Sequence, residues 1–296
     1  MPADPSILTT RKRVAYFTSN LIIRTLLGAI LLIPYRFRIP AMGWLVSRVI
    51  GPIAGYPQRI RNNLALVCPD LPESEIASLC DAVSDNAGRT LIEIYSGDDF
   101  IDRARNVEPE GPGLAALEAA QQSGRPVFIA SAHFGNYNVV RAVLRLRGID
   151  AGALYRRMAN PYFNDHYVRA MKMTGETMFE QGRNGLRSMV RHLKSGGVVA
   201  LLHDLYVFGG APLTFFGKKA NTSLVTAELA LKYDALIIPT YVIREPNGLD
   251  FRLILRGPIP HSDPETMTQA LNDDLETMVR ANMSQWFWIH KRWKYV

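Results

Sequence analysis

The chain has 296 residues, 48% of them hydrophobic and 21% charged, with a formal net charge of +7. That composition fills the core of one large α/β domain, or of a domain with an N-terminal appendage, and excludes an intrinsically disordered chain. The two cysteines, Cys68 and Cys80, have no Cys-x-x-Cys or Cys/His cluster about them, which excludes a disulfide framework and a cysteine zinc site.

The charge is unevenly placed. Residues 1–61 hold nine basic residues, among them Arg11, Lys12, Arg13, Arg24, Arg36 and Arg38, against one acid, Asp4. The whole basic excess is therefore N-terminal, where the most apolar stretch also lies. Leu21 to Ile33 is a run of thirteen residues interrupted by Arg24 and closed by Pro34. It falls short of the roughly 20 residues a spanning helix needs. A secretory signal is the competing reading, but no small-x-small cleavage site follows and arginines flank both sides. Basic residues around an apolar helix predict a retained, partly inserted segment on an anionic membrane surface. Met42 to Ile53 is a second apolar run for the same surface. We therefore divide the chain into residues 1–60, a membrane-associating region, and residues 61–296, a folded α/β domain.

Beyond residue 60, Pro72-Glu73-Ser74-Glu75 opens a helix running to about Ile101, with Ile76, Leu79, Cys80, Val83 and Ala87 on one face. Val107 to Glu110 makes a poor strand, so Gly111-Pro112-Gly113 reads as a turn before a helix at Leu114–Gln122 and not as a dinucleotide fingerprint. Val127 to Ala132, bounded by Gly124 and Pro126, reads as a buried strand. Gly135 and Asn136 break it, and Val139–Leu146 follows as a helix. The remaining strands are predicted at 151–155, 198–202, 235–243 and 249–255. The remaining helices are predicted at 163–173, 186–194, 222–231 and 266–283, with Asn221-Thr222-Ser223 as an N-cap. No internal repeat or flexible interdomain linker interrupts this order. The predicted architecture is α/β: a single domain whose mixed, largely parallel central sheet is flanked by helices, behind an N-terminal helical membrane-associated region.

Chemistry concentrates at His133, which ends the 127–132 strand. Open α/β sheets place their sites at such strand-to-helix corners, and an imidazole there can accept a proton near neutral pH. A core histidine with a satisfied ring is the alternative. No Gly-x-Ser-x-Gly elbow and no phosphate-loop lysine motif is present. His203 and Asp204 complete no metal-ligand set with His133. Arg156, Arg157 and Arg183 lie in or beside loops after the sheet, either as solvated surface residues or as partners for an oxyanion or phosphate. Trp286, Trp288 and Trp293, among Lys291, Arg292 and Lys294, suit a packed terminal segment, a membrane interface or nucleic-acid stacking. No nucleic-acid-binding module accompanies them, so a nucleic-acid partner is not expected.

His133-Phe134-Gly135-Asn136-Tyr137-Asn138 resembles the His-x4-acid box of glycerolipid-type acyltransferases, and more closely the version in bacterial late lipid A acyltransferases. Further segments are similar in order and spacing: Arg61-Asn62-Asn63-Leu64 with Cys68-Pro69, Tyr155 to Pro161, Gly182-Arg183, Asp204, Phe215-Phe216-Gly217 and Trp286 to Lys294. The resemblance implies acyl transfer from a thioester, on an acyl carrier protein or on acyl-CoA, to a hydroxyl of a lipid A precursor or lyso-lipid. It implies a site at the cytoplasmic face of a bacterial inner membrane. The thioester is already activated, so no cofactor is implied. His133 would be the general base, Asn138 its orienting partner, and Arg183 and Asp204 further catalytic groups. Gly135, Asn136, Tyr155, Arg156 and Asn160 would bind substrate.

Three positions depart from the family pattern. Arg157 replaces a proline, Tyr206 replaces a second acid, and Asn138 replaces the box carboxylate. In a serine-protease triad the change from Asp to Asn costs about 10⁴ in turnover. A slower enzyme, an enzyme using another carboxylate such as Asp204, and a lipid-binding pseudoenzyme or docking subunit are the readings that follow. On the first, restoring an acid at position 138 raises transfer; on the second it does not.

Overall fold

The computed structural model describes residues 8–294. Residues 1–7, which begin the expected membrane-associating region, and residues 295–296 lie outside the described residues. Helix α1 (Thr10–Leu31) starts where the Thr9 side chain accepts the Lys12 N–H. At 22 residues it exceeds the apolar run read from the sequence. Its mean hydropathy of 1.5 over an 18-residue window makes it long and apolar enough to cross a membrane. Polar residues just before the apolar run meet the domain: Asn20 is buried, and Asn160 Nδ2 donates to Tyr16 O at 2.8 Å and Ser19 Oγ at 3.1 Å. Val14, Phe17, Leu21, Ile22 and Leu26 are left exposed.

Helix α2 (Tyr35–Leu45) packs Ile39 and Met42 into the main core beside Ile92 of helix α5 (Glu73–Tyr95). Between them lie a π-helical turn (Val46–Ile50), a short α3 (Gly51–Ile53) and α4 (Tyr56–Val67). The single helix expected up to Ile101 breaks at Gly97, whose φ of +54° suits only glycine, and α6 (Asp98–Ala104) follows.

The chain then runs β1 (Pro109–Glu110), α7 (Pro112–Ser123), β2 (Val127–Ser131), α8 (Asn138–Leu146), β3 (Ala151–Tyr155), α9 (Pro161–Lys172), β4 (Met178–Glu180), α10 (Arg183–Lys194) and β5 (Val198–Leu202). A hairpin, β6 (Ala211–Phe215) and β7 (Lys218–Thr222), precedes α11 (Val225–Tyr233), β8 (Leu236–Arg244), β9 (Phe251–Leu255) and α12 (Pro264–Ala281). Seven strands form one sheet in the order β1-β9-β8-β2-β5-β3-β4, with only the β8–β9 pair antiparallel.

Burial on both faces explains the apolar strands. Val127, Ile129 and Val198 face a cluster with Leu27, Ile39 and Ile92, while Phe128, Ala130 and Val199 face one with Met189, Leu193, Ala227 and Leu271. The layers are therefore α1, α2, α5 and α8 on one side, and α10, α11 and α12 on the other.

Two local expectations are corrected. Val107–Glu110 does end in a strand: Pro109 and Glu110 pair with Leu253 and Ile254 at the sheet edge, where a proline's missing N–H is tolerated. Asn221-Thr222-Ser223 is not a helix N-cap, because Asn221 and Thr222 end β7 and pair with Pro212 and Ala211. The hairpin turns at Phe216 (φ +52°) and Gly217 (φ +67°), the two positive-φ residues that a tight two-residue turn requires. Phe216 is held in that conformation by its N–H to Glu276 Oε2 (2.5 Å) and by its ring against Trp288.

Candidate active site

Adjacent strands build the centre of the site. β2 and β5 pair in register, Ser131 opposite Leu202, so His133 and Asp204, each two residues further on, leave the sheet side by side. The ladder extends through His203 N–H to Ser131 O at 3.0 Å. His133 Nδ1 lies 2.9 Å from Asp204 Oδ1, and the His133 backbone N–H donates to Asp204 Oδ2 at 3.0 Å. A third donor, Trp286 Nε1–H, reaches the same Oδ2 at 2.9 Å. The Asp204 side chain is 2% exposed and that of His133 23%. Burial alone would push the Asp204 carboxyl up. The facing His133 imidazole and its hydrogen bonds more than reverse this and hold Asp204 well below the usual carboxylate range. A carboxylate on Nδ1 fixes the Nδ1–H tautomer and leaves Nε2 as the base.

The C-terminal segment pins the box from the side. Phe287 N–H donates to His133 O at 2.9 Å, Gly135 N–H donates to Gln285 O at 2.8 Å, and Phe134 bridges to Trp286 between them. Gly135 has φ +52°, and a Cβ there would sit 1.9 Å from Val242 O, so no other residue fits. Trp286, Trp288 and Trp293 are 1%, 0% and 8% exposed, packed against Phe215 and Phe216. They are core residues here, neither a membrane belt nor a stacking platform.

Asn138 opens α8. Its Nδ2 and its backbone N–H both donate to Asn136 Oδ1 at 3.0 Å, and its own Oδ1 is buried with no hydrogen-bond partner. The His133 Nδ1 bond that the box pattern assigns to position 138 is made by Asp204. Asn136 Nδ2 donates to Glu93 Oε2 at 2.7 Å, and Glu93 takes both Arg244 terminal nitrogens, at 2.5 and 2.8 Å. Thr90 Oγ1 and Asn86 Nδ2 donate to Gly135 O. The loop is thus held from beneath by α5 and β8 through a buried ion pair. Breaking such a pair costs about 3–5 kcal/mol, because the remaining charge stays buried.

Nothing in the sequence reading marked Glu93 or Arg244, and it gave Trp286 no role at His133. Glu93 did leave a signal: it continues the Leu79–Val83–Thr90 face, and a lone acid on a buried helical stripe requires a partner.

A cavity of about 350 Å³ opens beside His133. Val46, Ile50, Val83, Ala87, Leu91 and Ile94 give it apolar walls, and Tyr137, Tyr167 and Phe287 close on the imidazole side. The π-helical turn supplies Val46 and Ile50, so the first sixty residues contribute to this wall.

The other expected residues stand along the same rim without touching His133. Tyr155 OH donates to Glu180 Oε2 at 3.3 Å in a separate polar cleft with Arg157 and Asn164. Asn160 caps α9, its Oδ1 accepting from Tyr162 N and Phe163 N. Arg156 and Arg183 are exposed, and among the described residues neither makes an ion pair. Tyr206 donates its backbone N–H to His290 Nε2 at 3.1 Å. Among the described residues no group of three or more His, Cys, Asp or Glu could hold a metal ion.

A carboxylate-held histidine thus stands at the carboxyl rim of a mostly parallel α/β sheet, beside an apolar cavity. A sequence profile of the bacterial lipid A biosynthesis acyltransferase family matches residues 5–295, and the chain belongs to that family of O-acyltransferases. It is 24% identical over 241 residues to the lipid A biosynthesis lauroyltransferase of Escherichia coli (strain K12), covering 79% of this chain and 78% of that protein. To the lipid A biosynthesis palmitoleoyltransferase of the same strain it is 26% identical, covering 79% and 77%. To the lipid A biosynthesis acyltransferase of Haemophilus influenzae (strain ATCC 51907 / DSM 11121 / KW20 / Rd) it is 20% identical, covering 87% and 81%.

Proposed function

We propose that the protein transfers a fatty acyl chain from an acyl-carrier-protein thioester to a hydroxyl of a lipid A precursor, with His133 as general base and Asp204 as its carboxylate. The observation that carries this reading is the 2.9 Å contact of His133 Nδ1 with Asp204 at the edge of the apolar cavity. His133 Nε2 takes the proton from the acceptor hydroxyl as its oxygen attacks the thioester carbonyl. The buried Asp204 carboxylate stabilises the imidazolium that results. A backbone N–H or an arginine stabilises the tetrahedral oxyanion. Collapse breaks the C–S bond, and the thiolate recovers the proton from Nε2, leaving an ester and a free thiol. The acyl chain occupies the cavity walled by Val83, Ala87, Leu91 and Ile94.

Membrane attachment is part of the same proposal. The exposed apolar face of α1 continues in Leu32, Phe37, Trp44 and Ile53, and the basic residues around it suit the anionic cytoplasmic face of the inner membrane. Acyl-CoA as donor and a lyso-lipid as acceptor are the competing substrates. Lipid mass spectrometry of cells with and without the gene tests the proposal. An acceptor lacking one acyl chain is expected to accumulate without the gene, and an unchanged lipid profile contradicts it.

A further inference from the structure

Helix α10 carries a charge pattern that the chemistry above does not use. Its cations Arg183, Arg187, Arg191 and Lys194 are spaced by four, four and three residues, which places them on one helical face. All four are exposed, and the helix contains no acid. Like charges at this spacing disfavour the helix. The last turn offsets part of this, since Arg191 and Lys194 meet the negative end of the helix dipole and Lys194 lies over the Tyr233 ring at 5.5 Å, but among the described residues none of the three arginines forms an ion pair. Several surface arginines elsewhere on the domain do pair with carboxylates, among them Arg125–Asp234, Arg145–Glu176 and Arg147–Glu108.

The placement of α10 selects the kind of partner. Its buried residues Met189 and Leu193 pack with Phe128 and Ala130, whereas Leu27 of α1 packs with Val127 and Ile129 on the other face of the sheet. The basic stripe is thus borne by the layer on the sheet face opposite the exposed apolar helix α1. The helix also begins directly after β4, at the carboxyl rim that holds His133. β4 lies three strands from β2, about 14 Å at the usual strand spacing. A flexible thioester arm crosses that distance.

We propose that the face of α10 bearing Arg183, Arg187, Arg191 and Lys194 is the docking surface for the soluble acidic protein that carries the acyl thioester. The proposal rests on the donor reading above. Its test compares a carrier-linked donor with a small uncharged one, S-acyl-N-acetylcysteamine, using full-length wild type and the double variant Arg187→Glu/Arg191→Glu. Both substitutions lie on the exposed face, outside the buried contacts of α10. Repulsion of an acidic partner should raise KM for the acyl-carrier-protein thioester at least tenfold with kcat little changed, and should flatten its dependence on salt. Turnover of the small donor and sedimentation with anionic vesicles should match wild type. An unchanged KM for the carrier-linked donor overturns the docking surface. Loss of vesicle binding with that KM unchanged also overturns it, assigning the stripe to the membrane. Wild type that uses the small donor but not the carrier overturns the donor reading itself, and the docking surface with it.

Discussion

Replacing Asp204 with Asn isolates the carboxylate with almost no change of shape. Asp204 Oδ2 receives two fixed donors, the His133 backbone N–H and the Trp286 indole, so the amide oxygen of an Asn is drawn to that side. The amide NH₂ then replaces Oδ1, 2.9 Å from His133 Nδ1. It donates where the carboxylate accepted, forcing the proton to Nε2 and removing the base. The substitution loses the tautomer and the charge together, and the comparable exchange in a serine-protease triad costs about 10⁴ in turnover, about 5.5 kcal/mol. We expect Asp204→Asn to lower kcat by about 10³- to 10⁴-fold, with KM for either substrate little altered. Single-turnover transfer from a labelled thioester, with circular dichroism as a control for folding, measures it. A folded variant with near-wild-type turnover refutes the assignment of Asp204.

Trp286→Phe keeps an aromatic ring but removes one hydrogen bond to the charged Asp204, so turnover should fall about 10- to 100-fold. Asp204 is depressed in the fold, so its contribution is present above the ordinary carboxylate range and is lost as pH falls. Losing the indole donor should move that loss to higher pH in the pH–rate profile, whereas a merely structural role leaves the profile in place. Asn138→Asp should bring no gain, because Asp204 already holds the imidazole. With two acceptors then facing each other at Asn136 Oδ1, unfolding by denaturant should show a loss of about 1–3 kcal/mol. Removing residues 1–31 should shift the protein from the membrane pellet to the supernatant while Ile39 and Met42 stay in the core; unchanged sedimentation would place the anchor elsewhere.

The elements that carry strong local signals were legible in the sequence. β2, β3 and β5 sit where apolar runs bounded by glycine or proline placed them, and α8 follows the Gly135–Asn136 break. The hairpin β6–β7 was not legible, because Lys218 and Lys219 beside Asn221 give a polar stretch whose strand character comes from pairing and from three buried positions, Phe215, Ala220 and Thr222. His133 was legible from its position at a strand end, and Asp204 from the family pattern. Their contact was not, since it depends on the register of two strands about 70 residues apart, a tertiary fact. For the same reason Asn138, adjacent in sequence to the box, looked like the nearer partner. The first turn of α8 instead directs it to Asn136.

Purified protein in mixed micelles with a lipid A precursor and a labelled acyl-carrier-protein thioester gives the most direct test. Mass spectrometry of the acceptor, with wild type beside His133→Ala, reads the central claim in one measurement. The wild type should add one acyl chain in ester linkage, and the folded, membrane-bound variant should add none. Equal product from the variant, or no product from the wild type with carrier-linked, CoA-linked and small thioesters alike, would contradict it.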